Sequence, residues 1–165
     1  MKRPGTRCPR AAGGFTLIEL LVTVVIVSVL ALAAMPLAEL AVQRSKESEL
    51  RSALRQIREA IDAYKRDVDE GRIARKALDS GYPPSLEVLV SGVEDEKSPT
   101  RKKIYFLRRI PRNPLADDPK VPSGETWGKR SYASPPDDPK PGDDIYDVYP
   151  LGGGTGLNGL AYRDW

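Results

Sequence analysis

The chain has 165 residues, with 26 lysines and arginines against 23 aspartates and glutamates, one cysteine and no histidine. That length supports one modest domain, and the missing histidine excludes His-based triads and the usual haem sites. The sole cysteine, Cys8, excludes an internal disulfide. Met1 to Gly14 carries Lys2, Arg3, Arg7 and Arg10 and no acid. These cations precede an apolar run, which keeps the leader on the cytoplasmic side of a membrane. Removing the four from 26 leaves 22 bases against 23 acids, a net charge of −1 in place of +3. Overall basicity is thus a property of the leader and says little about nucleic acid.

From Phe15 to Ala38 the chain is apolar on every face except at Glu19. These roughly 24 residues exceed the 20 or so that cross a bilayer as a helix. A soluble core helix is seldom apolar all round for so long. Glu19 is the anomaly, because an acid costs about 2.5–3.5 kcal/mol at the centre of a membrane helix and less near its end. One reading is an interfacial glutamate in the first turn. The other is a glutamate that needs a cation within the membrane. A cut between Gly14 and Phe15 would create an amine, and amine and carboxylate on adjacent subunits would pair strongly at low dielectric.

The leader ending in Gly14, followed by Phe15-Thr16-Leu17-Ile18-Glu19-Leu20-Leu21-Val22, resembles the N-terminus of type IV pilins and type II secretion pseudopilins. The resemblance implies that a prepilin peptidase cuts after Gly14 and N-methylates Phe15. It also implies that Glu19 guides addition of the subunit to a helical fibre. Pro36 lies where such proteins often carry a helix-loosening proline. A secretory signal also starts basic, but its cut comes after a shorter apolar region. Here the cut precedes the span, which would stay on the mature chain and place the residues after Ala38 outside the cytoplasm.

The helical pattern continues past the span. Leu50, Leu54, Ile57, Ile61, Tyr64 and Val68 recur at alternating steps of four and three, forming one stripe. The other faces carry Arg44, Lys46, Glu47, Arg51, Arg55, Arg58, Glu59, Asp62 and Arg66. Glu47–Arg51, Arg55–Glu59, Arg58–Asp62 and Asp62–Arg66 are i,i+4 neighbours, each contributing about 0.2–0.5 kcal/mol when paired. The expectation is one helix from Phe15 to Asp69, bent near Pro36, stopped by Gly71 and roughly 80 Å long at about 1.5 Å per residue. The stripe reads as a coiled-coil seam or as the seat of a small domain. Its short extent favours the seat, with the charges solvated or meeting neighbouring subunits.

After Gly71, Gly81-Tyr82-Pro83-Pro84-Ser85 is a turn, with Ser85 capping a short helix that ends at Gly92. Val93 to Thr100 reads as a loop. Thr126–Ala133 and Asp144–Tyr149 are the strand candidates, separated by a proline-rich connection, 135–142, that cannot be strand. The expected fold is α+β and pilin-like: a long N-terminal α-helix, membrane-spanning in its first half, packed on a small C-terminal antiparallel β-sheet. Its parts are a cleaved cytoplasmic leader 1–14, a transmembrane half-helix 15–38, a periplasmic half-helix 39–70 and a small α+β head 71–165. Tyr82-Pro83-Pro84-Ser85-Leu86, Arg108-Arg109-Ile110-Pro111-Arg112-Asn113-Pro114, Asp144-Ile145-Tyr146-Asp147-Val148-Tyr149 and the segment Gly156 to Trp165 resemble the major pseudopilin of type II secretion.

That resemblance implies a calcium ion near the C-terminal loop, for which Asp143, Asp144, Asp147 and Asp164 are the candidate ligands. Calcium takes about six to eight oxygens. Against it, the loop 151–159 has no carboxylate, and Ala161 replaces a ligand; the alternative is glycine turns, solvated acids and a tail fastened by Tyr162 and Trp165. Arg101, Lys102, Lys103, Arg108, Arg109 and Arg112 form a basic cluster that suits ion pairs between subunits better than DNA. Asp117-Asp118, followed by Pro119, reads as a turn rather than an acid–base pair. The sequence therefore points to a non-enzymatic subunit of a periplasmic pseudopilus driving type II protein export. It would sit single-pass in a bacterial inner membrane. Its expected partners are further copies of itself, minor pseudopilins, the inner-membrane assembly platform and prepilin peptidase. The alternatives are a type IV pilus or competence subunit and a membrane-tethered periplasmic enzyme or sensor.

Overall fold

The computed structural model describes residues 14–75 and 79–165, without the side chains of 33–35. The leader cations and Cys8 therefore lie outside the described residues. The chain is α+β. One helix, α1, spans Leu17–Asp69 and includes Pro36 without ending there. It begins two residues after the expected start, because Thr16 caps it: its hydroxyl accepts the Glu19 N–H at 3.3 Å, and its carbonyl accepts the Leu20 N–H. Gly71 ends it as expected, at φ +70 with its N–H on the Val68 carbonyl.

Two compact units divide the chain, 14–42 and 43–165. In the second, the stripe read from the sequence is the centre of the core. Leu50, Ala53, Leu54, Ile57, Ile61, Tyr64 and Val68 are all buried. The head packs on them with Ile73, with Leu86 and Leu89 of α2 (Leu86–Ser91), and with Trp127, Ile145, Val148 and Tyr162. Ser85 precedes α2 but makes no side-chain cap.

Among the described residues, two separate two-stranded antiparallel sheets replace the single expected sheet. β1 (Val93–Glu94) pairs with β2 (Lys103–Ile104), so the segment read as a loop starts as a hairpin arm. β3 (Trp127–Arg130) pairs with β4 (Asp147–Pro150), with Trp127 opposite Pro150 and Arg130 opposite Asp147. Both strands are shorter than predicted. Ser131 leaves the ladder to donate its N–H to the Lys140 carbonyl, across the proline-rich connection. Gly128 is required by close approach, since a Cβ there would lie 2.2 Å from the Tyr149 ring.

Asn113, in the segment Arg108 to Pro114 quoted above for its resemblance, is 1% exposed and fully bonded. Its amide donates to the carbonyls of Thr126 and Leu151, and its side-chain oxygen accepts the Leu115 N–H. Beside it, the Trp127 indole donates to the Pro111 carbonyl at 2.8 Å. These bonds satisfy the polar groups that burial under β3 would otherwise strand.

None of the four expected i,i+4 ion pairs closes. Arg58 turns instead to Asp147 at 2.8 Å, and the i,i+4 pair that does close on α1 is Lys65–Asp69. Deleting the buried side chain at the centre of the stripe tests the packing. Ile57→Ala should destabilise the full chain in detergent by about 2–5 kcal/mol, and the exposed change Gln56→Ala by no more than about 0.5 kcal/mol, read by chemical denaturation under circular dichroism.

Candidate functional site: the N-terminal segment and the tail seat

Every large apolar side chain described between Phe15 and Val42 is exposed, from Phe15 at 84% to Leu40 at 42%. Phe15 buries little against its own chain, and a Cβ built on Gly14 meets nothing within 4 Å. Internal packing therefore gives no reason for glycine at 14 or phenylalanine at 15. Glu19 is exposed in the first turn of α1. There the free N–H groups of the helix end favour a negative charge, which lowers part of the cost of keeping an acid in an apolar segment. Thr16, which has no role in the reading from sequence, creates that end; the Thr-x-x-Glu spacing of a capping box was the signal. Thr23 and Ser28 return their hydroxyls to the carbonyls of Leu20 and Val24 at 2.9 and 2.7 Å. The stretch thus keeps its polar groups satisfied inside the helix, as a lipid environment demands. Among the described residues, α1 is the one helix long and apolar enough to cross a membrane.

The four candidate calcium ligands do not converge. Asp144 accepts the Ser131 hydroxyl at 2.7 Å and the Tyr132 N–H at 2.9 Å. Asp147 lies between Arg58 and Arg130. Asp143 is exposed, and Asp164 faces Arg163 at 3.7 Å. Among the described residues, no group of three or more His, Cys, Asp or Glu is placed to hold a metal.

The tail is held by a residue assigned wrongly from sequence. Glu47, expected on a solvated face beside Arg51, is 5% exposed. Its Oε1 accepts from the Leu157 N–H at 2.8 Å, the Tyr162 hydroxyl at 3.0 Å and the Gln43 amide at 3.2 Å. Burial pushes the carboxyl up, but the bonds from Leu157, Tyr162 and Gln43 and the charge of Arg51 outweigh it and hold it below the ordinary value of 4.5. Tyr162 and Trp165 fasten the tail as expected, with α1 as well as the sheet beneath them. Their rings meet edge to face at 5.1 Å, Arg51 lies over the Trp165 ring at 4.3 Å, and Arg58 donates to the Trp165 carbonyl at 2.7 Å. Gly156 permits this, since a Cβ there would sit 2.4 Å from the indole.

The basic cluster divides. Arg112 is committed to the carbonyls of Val121 and Asp118, and Arg101 approaches Glu94 at 3.7 Å. Lys103 reaches the Ser91 carbonyl at 3.4 Å but stays exposed, as do Lys102, Arg108 and Arg109. Asp118 accepts the Lys120 N–H, the turn-forming role expected of it.

A carboxyl held below its ordinary value stabilises the fold fully above about 4.5, and that contribution disappears as the pH falls through the lowered value. Protection of the Leu157 amide hydrogen, the slowing of its exchange relative to an unprotected amide at the same pH, should therefore fall on acidification. In Glu47→Gln the protection should be low already at neutral pH and change little with acid, measured by hydrogen exchange with mass spectrometry.

The model of the prokaryotic N-terminal methylation motif matches residues 9–35. No curated protein and no solved structure matches the chain. The matched stretch takes in Gly14, Phe15 and Glu19, the residues for which internal packing gives no account. It supports a type IV pilin-like protein and points to a structural subunit rather than an enzyme.

Proposed function

We propose that the chain is a pseudopilin that assembles into a short periplasmic fibre and serves type II protein export. The observation that carries this reading is the exposed apolar helix behind a matched methylation motif, with Glu19 as its only charge between Phe15 and Ala38. Cleavage after Gly14 frees the Phe15 amine. In the fibre, the Glu19 carboxylate of one copy meets that amine on the next, so each charge loses the cost of being alone in a dry layer. Spans leaving the lipid bury one another in the fibre core. Growth of the fibre then pushes exported proteins outward, a step that comes from the resemblance to type II pseudopilins.

A second reading draws on the exposed Lys102, Lys103, Arg108 and Arg109 around Tyr105, itself 63% exposed. In a competence pilus this surface would meet DNA phosphates. Salt-dependent retention of the protein on DNA would favour it over the export role.

Mass spectrometry of the mature protein should show loss of residues 1–14 and a methylated Phe15; an intact Met1 overturns the processing. Glu19→Ala should insert normally but form few or no fibres, scored by membrane fractionation and electron microscopy. Fibres at the normal level would sink the pairing of Glu19 with the amine.

A further inference from the structure

The chain has two asparagines, and the fold treats them oppositely. Asn113 is buried, its amide is bound to two carbonyls, and Pro114 follows it. Asn158 is exposed, and the residue after it is Gly159, exposed as well. Gly159 sits at φ +80, and a Cβ built there meets nothing within 4 Å. The Leu160 N–H donates to the Asn158 side-chain oxygen at 3.1 Å, which folds that side chain back over the peptide that follows it. The Gly159 N–H on the Gly156 carbonyl at 2.9 Å and the Gly156 N–H on the Leu160 carbonyl at 2.8 Å close the turn.

We propose that Asn158–Gly159 deamidates spontaneously in the folded protein, and that the product loosens the seat of the tail on Glu47. The proposal concerns the head alone and does not depend on the fibre reading. The Gly159 nitrogen gives its proton to water or hydroxide and attacks Cγ of Asn158. The Leu160 N–H already points at the oxygen on which negative charge then develops, the place where a fixed donor lowers a barrier. The bond from Cγ to Nδ2 breaks, ammonia leaves, and a cyclic imide remains. Water opens the imide on either side. Opening at Cγ leaves an aspartate on an ordinary main chain; opening at the main-chain carbonyl leaves an isoaspartate, with the side-chain carbon inserted into the main chain. No oxidant or reductant is needed. Glycine imposes no side chain on the approach and tolerates the backbone rotation that ring closure requires. The bond of Gly159 to the Gly156 carbonyl must open first, and in an exposed loop water replaces it. Asn113 cannot follow this route, because Pro114 has no N–H to lose. The longer main chain of the isoaspartate no longer fits the span that the Gly156–Leu160 bond closes. Leu157, whose N–H holds the Glu47 carboxylate at 2.8 Å, lies inside that span.

The test holds the full chain in detergent at neutral and at mildly alkaline pH, beside a sample unfolded in urea, and maps peptides by mass spectrometry. In the folded sample the peptide with Asn158 should gain the mass of an amide-to-acid change, severalfold faster at the alkaline pH. The peptide with Asn113 should not, and Asn158→Gln should stay unconverted over the same period. Conversion in urea with none in the folded chain means that the turn protects the pair and overturns the proposal, as does no conversion in either sample. Aged protein containing isoaspartate should show severalfold lower protection of the Leu157 amide than fresh protein, read by hydrogen exchange. Asn158→Asp carries the new charge on an unlengthened chain and should keep that protection. Equal protection in aged and fresh protein overturns the loosening, and equal loss in Asn158→Asp overturns the role given to the longer main chain.

Discussion

The head has no core without the helix. A two-stranded sheet is marginal in water, and the head contains two of them with a six-residue helix. Each becomes stable only by covering part of the stripe from Leu50 to Val68. Leu50, Ile57 and Ile61 are essentially inaccessible because Leu86, Leu89, Trp127 and Val148 close over them. The second half of α1 is thus an internal strut of the head. It gives one face to the core and keeps its opposite face in solvent.

The N-terminal segment obeys the opposite logic. Its residues are conspicuous because the fold does not use them. Gly14 is uncrowded, and Phe15, Leu17 and Ile18 cover nothing. Internal packing does not supply their constraints; under the proposed function these come from lipid, a processing enzyme and other copies. A recognition sequence of that kind is read in linear order, which is why it is legible from the amino acids alone. The methylation motif matches there and not in the head.

Legibility elsewhere tracked the range of the forces. The stripe, the end at Gly71 and the anchoring of Tyr162 and Trp165 were visible because helical period, positive φ and apolar burial are written locally. Glu47 was misread because its surroundings are supplied by Leu157 and Tyr162, 110 and 115 residues away. Periodicity around it gave only a position at the edge of the stripe, where either solvent or a late segment can cover it. The hairpin at Val93–Glu94 was hidden by its charge, and β3 and β4 were overextended because Ser131 bonds across the proline-rich loop. The four aspartates looked like one donor set in sequence, but three of the four carboxylates lie beside separate local partners.

The seat under Glu47 also has a bearing on synthesis. The carboxylate is made early, and two of the groups that bond it, the Leu157 N–H and the Tyr162 hydroxyl, are made more than a hundred residues later. A polypeptide interrupted before Leu157 would carry an acid with its seat uncovered and the rings of Tyr162 and Trp165 missing. Chains lacking that segment would thereby differ at the surface from chains that carry it.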